Sequence, residues 1–347
     1  MLHFYKKHTL LFSLLLSSFT IIAMEQTPEQ LLQIIQQSPD ISYMDQSLLK
    51  KRNKDGENVL HLACKQGDSN SIKKIFDQRN NHDTHQLLFS GCNYGFLGIH
   101  KAAENGHAAA ITTLIEIHRN TGNSENFISH KNNGSGSTPL HFAAMNGQTQ
   151  AIQTLINSSD TYYKNLKKLL FLQKHSNYTA LHLAAGNGHA KAAKILLIAA
   201  GDFAQELTSV YDSLGQTAVH KAVKGPFSQK THANVLNVFI QMLGYNILYL
   251  KQKNGDTVFD YATRVNHPDI NALLNLECSL CLDTKHCTEL YTMSNCNGQS
   301  GCKASFCKTC LIELISTHLN EGSTRDLKCP NFNCIKKIHA SDIYSIT

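Results

Sequence analysis

The sequence predicts a mostly α-helical protein: a solenoid of stacked helical hairpins followed by a small cross-brace zinc domain. Three observations carry that expectation. A motif of about ten residues recurs six times between positions 58 and 264. A glycine closes five of the copies, and apolar residues at helical spacing follow, the pattern of a helix–turn–helix unit. Nine of the eleven cysteines fall between Cys278 and Cys334, most of them in closely spaced pairs.

At 347 residues the chain has room for two or more domains. Hydrophobic residues at 42% and charged residues at 17% suit a folded chain rather than a disordered one. The formal charge of +6 is small for this length and is not gathered into a basic run. It leaves no footprint for nucleic acid or for an anionic membrane surface.

Residues 1–23 read as a signal peptide. Lys6 and Lys7 give a positive start, and Thr9 to Ala23 is a stretch of apolar and small residues. Ala23 stands where cleavage would fall, with Ile21 two positions before it. The stretch is short for a membrane span, which needs about 20 apolar residues, so a retained anchor is the alternative. No other segment reads as a span. Residues 24–50, with Leu31, Leu32, Ile34 and Ile35 in helical register, read as an amphipathic helix that caps the first repeat.

The repeats occupy residues 51–275. The copies are NVLHLACKQG (58–67), LGIHKAAENG (97–106), TPLHFAAMNG (138–147), TALHLAAGNG (179–188), TAVHKAVKG (217–225) and TVFDYATR (257–264). Paired alanines (Ala102 and Ala103, Ala143 and Ala144, Ala184 and Ala185) let neighbouring helices approach closely. Gly67, Gly106, Gly147 and Gly188 stand where the first helix must stop in a left-handed turn. Ile111, Leu114 and Ile115, and then Ile152, Leu155 and Ile156, mark the apolar face of second helices. A single hairpin cannot bury its own face, so stability comes from stacking.

The motif resembles the ankyrin repeat, with its Thr-Pro-Leu-His-x-Ala-Ala signature and glycine turn. That resemblance implies a protein-binding array with its partner on the concave face and no chemistry of its own. It also implies a structural role for His61, His100, His141, His182 and His220: each imidazole bonds backbone and a neighbouring Thr hydroxyl at the turn. Asp260 replaces the sixth histidine. No nucleophile–base pair, phosphate loop or paired acids stand in this region. Successive copies are 38 to 41 residues apart, against about 33 for a standard repeat. The inserts carry apolar groups: Leu87-Leu88-Phe89, Phe127-Ile128, Leu169-Leu170-Phe171, Val210-Tyr211 and Leu248-Tyr249-Leu250. Each insert is expected to add a turn of helix whose apolar residue seals the stack.

From Glu277 the composition changes. The spacings Cys278-x2-Cys281, Cys307-x2-Cys310 and Cys329-Pro330-x3-Cys334 are those of metal ligands, since a Cys-x2-Cys turn aims two thiolates at one point. Disulfides are the competing reading if the chain is exported, but nine cysteines leave one over and Cys-x2-Cys pairs make poor local disulfides. Cys64 replaces the second alanine of its motif and, like Cys92, lies inside the repeats.

Residues 276–340 resemble a RING finger, most closely the first RING of RING-between-RING ubiquitin ligases. The match rests on Cys-x-Leu-Cys at 278–281, Phe-Cys-x-x-Cys-Leu at 306–311, the apolar helix after it and Cys-Pro-x3-Cys at 329–334. The resemblance implies two zinc ions. Cys278, Cys281, Cys307 and Cys310 would hold one. Cys329 and Cys334 would hold the other with two mid-segment ligands, Cys302 and Cys296. The family's histidine position is Ala304 here, so Cys287 and His286 stay as rivals to Cys296. The family's docking positions for a ubiquitin-conjugating enzyme fall on Leu280, Leu311, Ile312, Ile315 and Pro330, all apolar. Lys336 and Lys337 stand near where simple RINGs place a ubiquitin-contacting basic residue. With Thr347 following so soon, no thioester-forming cysteine is expected, and the module would act as a simple RING with no catalytic residue of its own. Two functions remain open: a RING-type ligase or adaptor, exported as an effector into a eukaryotic host, and a non-enzymatic scaffold with a structural zinc module.

Overall fold

In a computed structural model, the protein is described over residues 26–41, 44–77, 80–122, 127–159, 166–224, 230–265, 275–277, 284–286, 290–291 and 306–307. The signal-peptide expectation for residues 1–23 lies outside them. The chain divides into two compact units, Met1–Ala180 and Leu181–Thr347.

The first unit opens on helix Pro28–Gln37. Its N-terminus is set by a capping box between Thr27 and Gln30, with Pro28 in the first turn. Leu31, Leu32 and Ile35 are buried, while Ile34 is half-exposed. The helix packs on the first motif helix, Val59–Gln66, and on its partner Ser69–Phe76. Where one helix was expected, this region holds two. The second, Gln46–Leu49, is capped by Asp45 and buries Leu48 and Leu49.

Three hairpins follow: Val59–Gln66 with Ser69–Phe76, Gly98–Glu104 with Ala108–Asn120, and Pro139–Met145 with Thr149–Ser158. First helices pack on first helices and second on second. The turn glycines are required. Gly67 has φ +74°, and a Cβ there would also meet the His107 ring at 2.5 Å.

The close approach of first helices is visible at Gly98. A Cβ on it would lie 2.8 Å from Cys64 Sγ and 3.4 Å from Leu60 Cγ. Gly98→Ala is therefore expected to destabilise by about 1–2 kcal/mol despite alanine's better helix propensity. Cys64→Ala should relieve the clash. A double-mutant cycle in urea checks this, with strong positive coupling expected.

The described residues of the first three inserts form helical turns. Helix Asn81–Leu88 buries Leu87 and Leu88, the 3-10 turn Phe127–Ser129 buries Phe127 and Ile128, and helix Leu166–Phe171 buries Leu169 and Leu170.

The second unit contains helix Ala180–Gly186 from Leu181 onward, then Ala190–Ala200, Ala218–Lys224, Lys230–Leu243 and Val258–Val265. Ala190–Ala200 packs on Lys230–Leu243, and Ala218–Lys224 on Val258–Val265. Here one expectation is corrected. Tyr211 is half-exposed and Val210 is not buried; Leu207, at 1% exposure, seals the stack instead. This insert begins its helical turns earlier, as Gly201–Phe203 and Ala204–Thr208, so its inward position comes earlier too. The last insert forms the 3-10 segment Tyr245–Tyr249 and buries Leu248, while Tyr249 stays about half-exposed.

Beyond the helices, backbone pairing forms two short antiparallel pairs. β1 (Asn275–Glu277) pairs with β2 (Thr284–His286), and β3 (Leu290–Tyr291) with β4 (Phe306–Cys307).

Candidate functional site

The recurring histidines explain how each motif is built. His141 Nδ1 accepts the backbone N–H of Thr138 at 3.2 Å and lies 2.7 Å from Thr138 Oγ1. Its Nε2 then carries the proton and donates to the Tyr178 carbonyl of the next loop at 3.0 Å. His61 reaches Phe96 O at 2.7 Å, His100 reaches His130 O at 3.0 Å, and His182 reaches Gln216 O at 3.2 Å. The rings of His61, His100 and His141 thus tie their own N-caps to a carbonyl further along the chain, whereas His220, among the described residues, bonds its cap alone. The expected Thr hydroxyl is present for His141 and His220; for His61 the cap is Asn58, and for His100 Leu97 gives only its N–H.

Burial drives these imidazoles toward the neutral form. His61, His141 and His182 fall to about 4 and His100 to about 3, with desolvation the leading cause in each; His220 shifts the same way. Neutral and buried, they serve as structural links at the motif turns.

Asp260 shows why the sixth copy differs. Its carboxylate accepts the Thr257 N–H at 2.9 Å and the Thr257 hydroxyl at 2.6 Å, as an imidazole Nδ1 would. An ionised carboxylate has no hydrogen to send onward to another carbonyl. The copy can close its own cap but cannot send the forward link.

A second set of bonds runs the other way. His107 Nε2 donates to Lys65 O at 3.0 Å and Gln148 Nε2 to Glu104 O at 3.3 Å; in the second unit His232 Nε2 donates to Gly186 O at 3.2 Å. These satisfy carbonyls at first-helix C-termini.

The residue after each histidine varies from copy to copy: Leu62, Lys101, Phe142, Leu183 or Lys221. Lys101 and Leu183 are half-buried, and Leu62, Phe142 and Lys221 are buried. In the first unit, Phe96 and Phe142 have ring centroids 4.9 Å apart, and Lys101 Nζ lies 4.8 Å from the Phe96 centroid. Phe96, Met145 and Tyr178 are half-buried, which leaves an apolar, partly aromatic strip along the first helices and loops. Lys101 also pairs with Glu57 at 2.9 Å. Burial opposes ionisation of Glu57, but Lys101's hydrogen bond and charge outweigh it and hold the carboxyl below its usual range.

In the second unit the corresponding lysine is Lys221. It pairs with Asp212 at 2.7 Å and donates to Gln216 Oε1 at 2.9 Å. Gln216 donates to Gln252 at 3.0 Å, Gln252 donates to Asp256 at 3.1 Å, and Arg264 pairs with Asp256. The buried pair Lys221–Asp212 is matched charge for charge, as burial demands, while Arg264–Asp256 lies at the surface.

This arrangement suits binding. Among the described residues no three His, Cys, Asp or Glu side chains converge as a metal site. Burial drives the Cys64 thiol far above its ordinary pKa, which makes it inert. No helix of the described residues is long and apolar enough to cross a membrane.

Residues 60–168 and 99–208 match the family model for ankyrin repeats in three copies. Residues 60–208 carry ankyrin repeats. The crystal structure of the ankyrin repeat protein EF0377 is similar at 20% identity and a TM-score of 0.48, over 64% of this chain and 98% of that one. An ankyrin repeat domain from Acinetobacter baumannii AYE gives 20% and 0.48, over 62% and 95%. No curated protein matches the chain.

Ankyrin repeats bind proteins, so the half-buried strip of Phe96, Met145 and Tyr178, backed by the buried Leu62 and Phe142, is the candidate interface of the first unit. The sequence expectation put a partner on the concave face and named none of these residues. The signal was present: within otherwise constant motifs, the position after the histidine varies between Leu, Lys and Phe.

The expected zinc ligands Cys278, Cys281, Cys296, Cys302, Cys310, Cys329 and Cys334, and the docking residues Leu280, Leu311, Ile312, Ile315 and Pro330, lie outside the described residues. Cys307 and His286 are described through their backbone alone, each at the end of a strand. The residues between β1 and β2 include Cys278 and Cys281, and those between β3 and β4 include Cys296 and Cys302.

Proposed function

We propose that the ankyrin repeats hold a protein target while a zinc-folded, RING-type module built on residues 276–340 recruits a ubiquitin-conjugating enzyme. The binding half is carried by the half-buried aromatic strip beside the histidine row. The ligase half is supported by the cysteine spacing and by strand pairs that bracket two of the cysteine groups. The donors fit zinc: soft thiolates, paired at close spacing, next to a backbone hairpin. Cys278, Cys281, Cys307 and Cys310 would hold one ion; Cys296, Cys302, Cys329 and Cys334 the other. Such zinc is structural and folds a segment too small to bury a core. The module would contribute proximity and orientation: it holds a charged conjugate beside a target lysine.

Purified chain should contain two zinc ions, and Cys278→Ser should lose at least one; zinc-free protein with intact thiols would sink the module. Autoubiquitination with a panel of conjugating enzymes then tests the activity. Leu280→Ala should remove it while zinc is retained. Undiminished activity in Leu280→Ala would count against the docking surface. Ala304, where the family has histidine, favours the second reading, a protein-binding scaffold with a structural zinc module. Two bound zinc ions and no activity with any conjugating enzyme would leave that reading. For location we propose export through residues 1–23, as an effector acting in a eukaryotic host. A mature protein starting at Met24 is the expected result of N-terminal sequencing.

A further inference from the structure

We propose that the loop edge of the second unit, built by Tyr211, Leu214, Tyr249, Lys251 and Lys253, docks an acidic peptide segment bearing leucine or aromatic side chains. This rests on the reading of the array as protein-binding, and it names a surface separate from the first unit's strip.

The first observation is where exposed apolar area collects. Tyr211 is 51% exposed, Leu214 60% and Tyr249 48%. All three lie on two loops of one unit, and those loops touch. Lys253 N–H donates to Gly215 O at 3.0 Å, and Gln216 donates to Gln252. The loops are held by their own backbone bonds, Asp212 N–H to Gln216 O and Gln252 N–H to Asp256 O. The edge is thus ordered before any partner arrives, which lowers the entropic cost of binding.

The second observation is what the equivalent positions do elsewhere. In the first loop, Asn53 N–H bonds Glu57 O, so the residue matching Tyr211 is Arg52. Arg52 sends its guanidinium to Gly56 O at 2.7 Å and Gly91 O at 2.6 Å, a structural use. Tyr211 stands at the same place with half its surface open to solvent. An aromatic residue with this much open surface is of the kind favoured in interfaces.

The third observation is charge. The carboxylates of this edge are engaged: Asp212 with Lys221, Asp256 with Arg264, and Asp260 with Thr257. Lys251 and Lys253 are exposed, and among the described residues neither is held in an ion pair. They set a positive sign beside an apolar patch, so the complementary partner is acidic with apolar anchors. Two free cations are too few for an anionic membrane, whose surface recruits clusters of about 4–8 basic residues.

The test is a selection of random 12-residue peptides displayed on phage against the full chain. Enriched clones should carry net negative charge with leucine, phenylalanine or tyrosine. They should bind the variant Lys251→Glu/Lys253→Glu and the variant Leu214→Ser at least 10-fold more weakly, and weaken as salt rises. Each changed side chain is exposed, and circular dichroism verifies the fold. Clones that ignore both variants but are lost with Phe96→Ala would overturn this surface while keeping the first unit's. Clones with no acidic bias, or none that the variants fail to retain, would also overturn it, as would loss in the variants of binding to phosphatidylserine vesicles with no peptide selected. If no clone discriminates Phe96→Ala either, the protein-binding reading of both faces falls.

Discussion

Acidification from pH 7 to pH 5 should destabilise the repeats steeply, before most ordinary carboxylates titrate. The folded-state pKa values of His61, His141 and His182 are about 4 and that of His100 about 3, below the ordinary 6.5. Between those limits the unfolded chain binds protons that the folded chain refuses. Stability is therefore fully present above about pH 6.5 and is lost as pH falls toward the folded values. Each such group contributes roughly 1.4 kcal/mol per pH unit inside the window. His61, His100 and His141 belong to the first unit, so its stability should fall by roughly 4 kcal/mol per pH unit near pH 5. That is a large fraction of what a domain has.

The geometry gives the reason. A protonated imidazole would put a second N–H against the cap's own N–H, as between Thr138 N and His141 Nδ1 at 3.2 Å. Glu57 and Asp212, held below the usual carboxylate range despite burial, lose their contribution only at lower pH, so the two effects separate. Urea midpoints at pH 7.5, 6 and 5 make the measurement. A midpoint unchanged from pH 7.5 to pH 5 would refute the neutral-histidine account.

Phe127→Ala should cost about 3–5 kcal/mol, the range for removing a fully buried phenylalanine. Phe127 is fully buried in the insert after the second hairpin. Its ring stacks on His118 with centroids 5.0 Å apart and meets Phe89 edge-on at 5.4 Å. Phe89 in turn touches His130 at 5.6 Å. One aromatic cluster therefore joins two inserts to the second helix between them. The melting temperature should drop by about 10 °C or more, followed by circular dichroism. Tyr211→Ala, in the insert whose sealing residue is Leu207, should change stability by no more than about 0.5 kcal/mol. Equal losses in the two variants would mean that the inserts do not seal the stack as described.

Much of the array was legible in the chain because each repeat restates the same local physics. The glycine after the first helix, the paired alanines and the histidine three residues after the N-cap are short-range requirements, visible without knowing what lies opposite. The inserts were legible as apolar groups for the same reason. The exception, Tyr211 for Leu207, arose where one insert started its helix earlier. Inward facing depends on helix phase, which the group's position relative to the next motif does not reveal.

The sequence by itself determined the repeats, their capping helix and the structural role of the histidines, because caps and turns are settled within a few residues. Only the tertiary structure decided which side chains are spent and which are offered. Lys101 and Lys221 occupy one motif position, yet their acids come from Glu57 in the preceding repeat and Asp212 in the same repeat. Arg52 and Tyr211 share a loop position, and one is stapled to backbone while the other meets solvent. The contacts of Lys101 with Glu57 and of Arg52 with Gly91 cross stacked elements about 40 residues apart in the chain, and a linear pattern carries no record of them.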